Sequence, residues 1–455
     1  MLTETIAAIA TPLGQGGLAV IRISGSRAFE VADVIFKRAG SKHRSLTELP
    51  SHTVHYGHIV RQGEVIDEVL TTILRAPRTY TREHTVEISC HGGMTATAAV
   101  LEASLAAGAR LAEPGEFTRR AFINGRIDLT QAEAVADLIS ARTQLALKAA
   151  EEQLAGRLAK KVEEIRSSLM RVLAHVEAHI DFPDEDIEPD TQQSLLTSLA
   201  STHGRMIGLM ATADEGQLLR HGVRAVILGR PNSGKSSLLN QLLGRARAIV
   251  SPIAGTTRDT IEETADVLGL PIRFIDTAGV RESADLLEQE GIRRSLESAR
   301  QAELILYVLD QSQAVDTQDL ELLREFQGRT LITVLNKADL PRHATVVSEI
   351  DNGTATNAQT GEGVEELKRE IHRRFWRGDV QATAENVMIN ARHKEALRRA
   401  STAVEATMRA LEQNVGLELV SMELRICVHA VGEIVGHTTT EDLLDSIFSQ
   451  FCIGK

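Results

Sequence analysis

The chain has 455 residues, 43% of them hydrophobic, enough for more than one core and for roughly three domains by length. Its 62 acidic residues outnumber 50 basic ones for a net charge of −12, which excludes a protein gripping nucleic acid over its whole surface and leaves any RNA contact local or shared with a partner. Three cysteines without metal-ligand spacing, an amino terminus lacking a basic stretch before an apolar one, and no apolar run of membrane-spanning length predict a soluble, cytoplasmic protein with no membrane partner.

Residues 1–120 alternate short β-rich runs (Leu18–Ile23, Glu68–Leu74, Thr85–Ser89) with Gly-rich turns, the texture of an α+β domain. From Thr130 the composition turns to Ala, Leu, Glu, Arg and Lys, and 121–219 is expected to be helical. Leu154, Leu158, Val162, Ile165, Leu169, Leu173, Val176 and Ile180 recur at spacings of three and four, one face of one long helix. Pro183 and Pro189, set among carboxylates, stop it. A second helical stretch runs to about Leu219.

Residues 220–378 carry the chemistry. Gly229-Arg-Pro-Asn-Ser-Gly-Lys-Ser236 lies between the apolar strand Ala225–Leu228 and a helical pattern, the setting of a phosphate-binding loop. Its glycines let main-chain N–H groups turn onto phosphates, Lys235 neutralises them, and the Ser236 hydroxyl is placed for Mg²⁺. Gly229, Asn232, Ser233, Gly234, Lys235, Ser236 and Ser237 are the expected nucleotide contacts. Asn336-Lys337-Ala-Asp339 closes the strand Leu331–Leu335, and the Asp339 carboxylate matches the two donors of guanine that adenine lacks, so GTP is the expected nucleotide. Asp276-Thr277-Ala278-Gly279 follows another strand and supplies a Mg²⁺-side carboxylate and an N–H for the γ-phosphate. The position after Gly279, where Ras-like switches use a glutamine to orient water, holds Val280. Asn232 offers an oxygen either for a monovalent cation beside the phosphates or for bracing the loop. In Gly255-Thr256-Thr257-Arg-Asp259, Thr257 is the natural second Mg²⁺ ligand; Ser251, Ile253 and Thr256 could complete a K⁺ cage with Asn232. Ala358 is expected to reach guanine O6 through its N–H. Residues 379–455 return to helical composition, with Leu397, Val404, Met408 and Leu411 at helical spacing.

The predicted architecture is multidomain α/β: a P-loop GTPase with a Ras-like doubly wound sheet, inserted in an all-α helical domain and preceded by an α+β domain. Arg22-Ile-Ser-Gly25, Pro114-Gly-Glu-Phe-Thr-Arg-Arg-Ala-Phe-Ile-Asn-Gly125, Asp128-Leu-Thr-Gln-Ala-Glu-Ala134, Asp181-Phe-Pro-Asp184 and the terminal Phe451-Cys-Ile-Gly-Lys455 join these signatures. In them the chain resembles, over nearly its full length, the MnmE (TrmE) family of tRNA-modification GTPases. The resemblance implies that the amino-terminal domain binds a tetrahydrofolate derivative (5-formyl or 5,10-methylene form) through Arg22, Glu87, Arg126 and Lys455 and joins a homodimer. It implies a flavoprotein partner, MnmG, and tRNA, on whose wobble uridine a carboxymethylaminomethyl-type group is built at C5. It further implies K⁺-stimulated hydrolysis as two GTPase domains meet, with Glu288 orienting water, and matches Cys452 to a terminal cysteine of near-site or merely structural role. Relatives carry Ser-Ala-(Lys/Arg) where this chain has Asn357-Ala-Gln359. A ribosome-assembly or RNA-binding regulatory GTPase is the alternative; it lacks support in that the non-GTPase parts show only short basic clusters.

Overall fold

The computed structural model describes residues 4–40, 45–182, 192–244, 262–275, 296–350, 352–376 and 387–455. The amino-terminal part is a seven-stranded sheet in the order β3-β4-β5-β6-β2-β1-β7. Its strands are β1 (Ile6–Ile9), β2 (Leu18–Ser24), β3 (Phe36–Arg38), β4 (Thr53–Arg61), β5 (Glu64–Leu74), β6 (Thr85–His91) and β7 (Arg110–Leu111). Helices α1 (Ala28–Ile35) and α2 (Met94–Ala106) cover one face. Alternation along β2 sends Ala19, Ile21 and Ile23 into the core under those helices and leaves Arg22 on the opposite face. Arg22 is there in register with Glu87 of β6.

The helical part begins with α3 (Glu116–Ile123), α4 (Leu129–Ser140) and α5 (Gln144–Leu154). Asp128 and Gln131 cap α4 reciprocally, satisfying donors that a helix start leaves open. The stripe from Leu154 to Ile180 is not one helix. Ala155 and Gly156, the latter at φ +81°, separate α5 from α6 (Arg157–Asp181), because the left-handed conformation that glycine tolerates ends one helix and redirects the next. Within α6 the face from Leu158 to Val176 is buried as its spacing predicts. Then come α7 (Gln192–Met210) and α8 (Ala213–His221), and after the GTPase sheet α13 (Ala391–Glu412), α14 (Leu417–Val435) and α15 (Glu441–Phe448). Leu169 and Val176 share a core with Leu199 and Met206 before the GTPase and with Leu397, Val404, Leu424 and Val431 after it. Each such side chain, fully buried, contributes about 1.5–3 kcal/mol, so the two flanks form one helical body.

The GTPase sheet runs β13-β12-β11-β8-β10-β9. Its strands are β8 (Val223–Leu228), β9 (Glu263–Val267), β10 (Leu270–Phe274), β11 (Leu304–Asp310), β12 (Leu331–Asn336) and β13 (Thr354–Ala355), with helices α9 (Lys235–Leu243), α10 (Thr317–Glu325), α11 (Ala344–Glu349) and α12 (Val364–Phe375). All neighbours pair in parallel except β9 with β10. Parallel strands buried on both faces need continuous apolar runs, and β11, Leu-Ile-Leu-Tyr-Val-Leu-Asp, supplies one. The chain order reverses around β8, and the ends of parallel strands beside such a switch point form a crevice.

Candidate functional site

The loop between β8 and α9 opens into that crevice. Asn232 and Gly234 both adopt left-handed backbone, at φ +61° and +97°. A β-carbon on Gly234 would collide with the Asn336 side-chain amide, so glycine is required by both conformation and space. Lys235 Nζ donates to the main-chain oxygens of Gly229 at 2.9 Å and Arg230 at 2.7 Å, which holds the ammonium across the mouth of the loop. Ser236 and Ser237 lie in the first turn of α9, where the helix N-terminus adds its positive end. Arg230 is anchored on Asp316 at 2.7 Å and on Asp319, and Tyr307 donates to Asp319 at 2.8 Å. Burial and the Asp319 carboxylate push the Tyr307 phenol far above its ordinary range, so it stays a donor.

The end of β12 reaches the same crevice. Asn336, buried at 2% exposure, donates to the main-chain oxygen of Ser233 at 2.8 Å and accepts from the Ala358 N–H at 3.0 Å. One amide therefore ties the phosphate loop, the guanine motif and the loop after β13 into a unit. The Ala358 N–H would have to share that bond to reach guanine O6. Lys337, at φ +62°, turns back to pair with Asp310 at 2.6 Å; its ammonium and the Ser312 hydroxyl outweigh burial and keep that carboxyl below its usual range. Asp339 is exposed, and Asn357 Nδ2 donates to its Oδ1 at 3.0 Å. Asn357 in turn accepts from the N–H groups of Gln359 and Thr360. Ser251, Ile253, Thr256, Thr257, Asp276, Thr277, Ala278, Gly279 and Glu288 lie outside the described residues. Asn357 as a brace for Asp339 was not foreseen; the departure at that position was the available signal.

A second cluster forms on the face of the amino-terminal sheet opposite α1 and α2, where Phe117 of α3 packs against Ile6 and Ala8. Arg22 pairs with Glu87 through Oε1 at 2.8 Å, and its guanidinium lies 5.9 Å from the Tyr80 ring and 5.6 Å from that of Phe117. Arg126 stands 4.8 Å from the same Tyr80 ring, whose hydroxyl hydrogen-bonds Thr118 at 2.9 Å. The Phe117 N–H donates to the main-chain oxygen of Lys455 at 3.2 Å, and Ile453 bridges to Pro114. The last residues of the chain thus reach the amino-terminal domain: Arg22 and Arg126 share the Tyr80 ring, Glu87 is paired with Arg22, and Lys455 meets Phe117 through its main-chain oxygen. Cys452 is exposed, whereas burial holds the Cys427 thiol up at about 12.

Comparison with known proteins settles the family. Residues 5–126 match the model described as the GTP-binding protein TrmE N-terminus, and residues 129–452 match the MnmE helical domain. The tRNA modification GTPase MnmE of Bacillus subtilis is 45% identical over 99% of this chain and 100% of its own length. The chain belongs to the MnmE (TrmE) family of tRNA-modification GTPases. The protein of the same name from Geobacillus kaustophilus is 45% identical over 99% of both chains. Among solved structures, a variant of Aquifex aeolicus Era bound to GDP.AlF4- is 29% identical (34% of this chain, 58% of that one, TM-score 0.27). The G domain of the T. maritima FeoB protein is 26% identical (33% and 97%, TM-score 0.24). As a member of the MnmE family, this protein is an enzyme that binds and hydrolyses GTP. Among the described residues no helix is long and apolar enough to cross a membrane.

Sequence patterns did not signal a third polar cluster, deep in the helical body. Glu133 of α4 is fully buried; Arg392 Nε and Nη2 donate to its two oxygens at 2.8 and 2.9 Å, and His393 Nε2 lies 2.7 Å away. Burial alone would raise the Glu133 carboxyl, but His393 and Arg392 hold it well below the usual carboxylate range. Burial lowers His393, whose Nδ1 accepts from the Asn390 N–H; we take it as neutral, with Glu133 ionised chiefly against Arg392. One turn on, Asp137 has Arg220 Nε 2.6 Å from its Oδ1 but off the N–H direction, an ion pair without a well-directed hydrogen bond. Burial raises Asp137 to about 6.

Proposed function

We propose that this protein is the GTP-hydrolysing component of a complex that modifies the wobble uridine of tRNA, adding a carboxymethylaminomethyl-type group at C5 with a tetrahydrofolate derivative as one-carbon donor. The observation that carries the reading is that Arg22, paired with Glu87, and Arg126 share the Tyr80 ring while the Lys455 main chain bonds Phe117, on a chain whose relatives over its full length are named for tRNA modification. Both Arg22 contacts fall on Glu87 Oε1, so Oε2 is the oxygen that would take the donor edge of a pterin. Residues 1–120 form the folate and dimerisation domain, 121–219 and 379–455 the helical domain, and 220–378 the GTPase. An apolar patch supports the homodimer: Val54, Tyr56 and Leu70 are exposed on neighbouring strands, with Tyr56 opposite Leu70. MnmG is the expected flavoprotein partner, and the cytoplasm the expected compartment.

In hydrolysis the chain's own groups bind and orient. The loop N–H groups and Lys235 take the phosphates, Ser236 with Thr257 would hold Mg²⁺, and Asp339 braced by Asn357 reads guanine. Asn232 stands exposed at the rim of the loop, consistent with a side chain offered to a cation; with Ser251, Ile253 and Thr256 it would hold K⁺, which supplies positive charge to the leaving phosphates. Glu288 orients water. Titration with 5-formyltetrahydrofolate tests the donor: micromolar binding that weakens in Arg22→Ala is expected, and no binding removes the folate reading. GTP turnover should be faster in potassium than in sodium, and equal rates in both salts would remove the cation role.

A further inference from the structure

The face that carries Arg126 continues past Tyr80 into an open cleft of about 520 Å³, lined by His52, Arg78, Thr79, Tyr80, Arg82 and Arg126 with Leu74 and Pro77. Among the described residues no acidic one lines it, on a chain whose net charge is −12. The arginines of this region divide by what they already hold. Arg22 is paired with Glu87; Arg75 is spent on the main-chain oxygens of Leu49 and Thr47; Arg120 is buried between Glu116 and Glu83. By contrast, Arg78 and Arg126 are exposed and make no ion pair among the described residues, and Arg82, also exposed, is fixed through Nη1 to the Asn124 main-chain oxygen at 2.9 Å. Three guanidinium forks around one cleft are a receptor for a row of carboxylates, each able to take a two-point contact.

We propose that this cleft binds the γ-linked oligoglutamate tail of a folate. The inference rests on the folate reading above and extends it: the Arg22–Glu87 end takes the pterin, Arg126 beside Tyr80 takes the first glutamate, and Arg78 and Arg82 take those that follow. Position favours this over a nucleic-acid backbone. The cleft starts at the ring that Arg22 and Arg126 share and is bounded, whereas a phosphate-backbone reader needs an extended basic footprint that this acidic chain does not offer.

The test compares 5-formyltetrahydrofolate carrying one and three glutamates, titrated into the full-length protein at low and at high salt, with the parent and with Arg78→Glu. Exposed ion pairs of this kind contribute roughly two- to fivefold each, so the triglutamate should bind about tenfold tighter than the monoglutamate at low salt. That advantage should shrink in high salt and be lost in Arg78→Glu, which keeps the monoglutamate affinity and the GTP turnover of the parent. Arg78→Gln, a milder change, should lose part of it. Equal binding of the two folates overturns this inference alone; no binding of either overturns the folate reading with it. An advantage that survives in Arg78→Glu, while the same variant weakens tRNA binding, assigns the cleft to RNA and also overturns the inference.

Discussion

Replacing Asn336 by alanine removes the amide that joins the phosphate loop to the guanine motif. It orphans the Ser233 carbonyl, bonded at 2.8 Å, and the Ala358 N–H, bonded at 3.0 Å, at a position only 2% exposed. A buried main-chain group left without a partner costs about 1–3 kcal/mol, so the pair amounts to roughly 2–6 kcal/mol, divided between the stability of the GTPase body and the order of its nucleotide site. With about 2 kcal/mol falling on the site, GTP binding weakens roughly 30-fold. Asn336→Asp should do no better: it keeps an acceptor for Ala358 but sets a carboxylate oxygen against the Ser233 carbonyl. Fluorescence titration with a labelled GTP analogue measures the affinity, and thermal unfolding of the full chain measures the remainder. An alanine variant that binds GTP within threefold of the parent and melts at the same temperature would refute the argument that this amide organises the site.

Three further outcomes are expected. Glu133→Ala leaves the half-buried Arg392 and the buried His393 without their carboxylate and should destabilise the helical body by about 3–5 kcal/mol, read as a lowered melting temperature; a shift of less than a degree or two would mean that water replaces the lost partner. The folded Asp137 titrates at about 6 against an ordinary 3.8, so its proton favours the folded state: that stability is fully present below about pH 3.8 and is lost as pH rises through 6. The difference is on the order of 3 kcal/mol, and parent and Asp137→Asn, compared by denaturant unfolding from pH 4 to 8, should diverge by it; parallel pH profiles would contradict the raised value. Asn357→Ala should weaken GTP binding about fivefold by freeing Asp339 to rotate, while Asn357→Ser keeps most of the affinity; an unchanged alanine variant would make Asn357 a bystander.

Local patterns determined much of this protein. The glycine-lysine-serine loop between an apolar strand and a helix, the Asn336 to Asp339 motif at a strand end and the apolar face of α6 are each written in consecutive or periodic residues, because strands, helices and tight turns are set by neighbours along the chain. Tertiary structure alone decided what lies between distant segments. It cut the predicted long helix at Gly156, merged the flanks of the GTPase into one core and paired Glu133 with Arg392. It also set Asn357 against Asp339 and brought Lys455 back to Phe117 beside Arg22. Such contacts have no period and no fixed spacing. They exist only once burial removes water from a charge or an amide and the nearest partner is one that the fold, not the sequence order, has delivered.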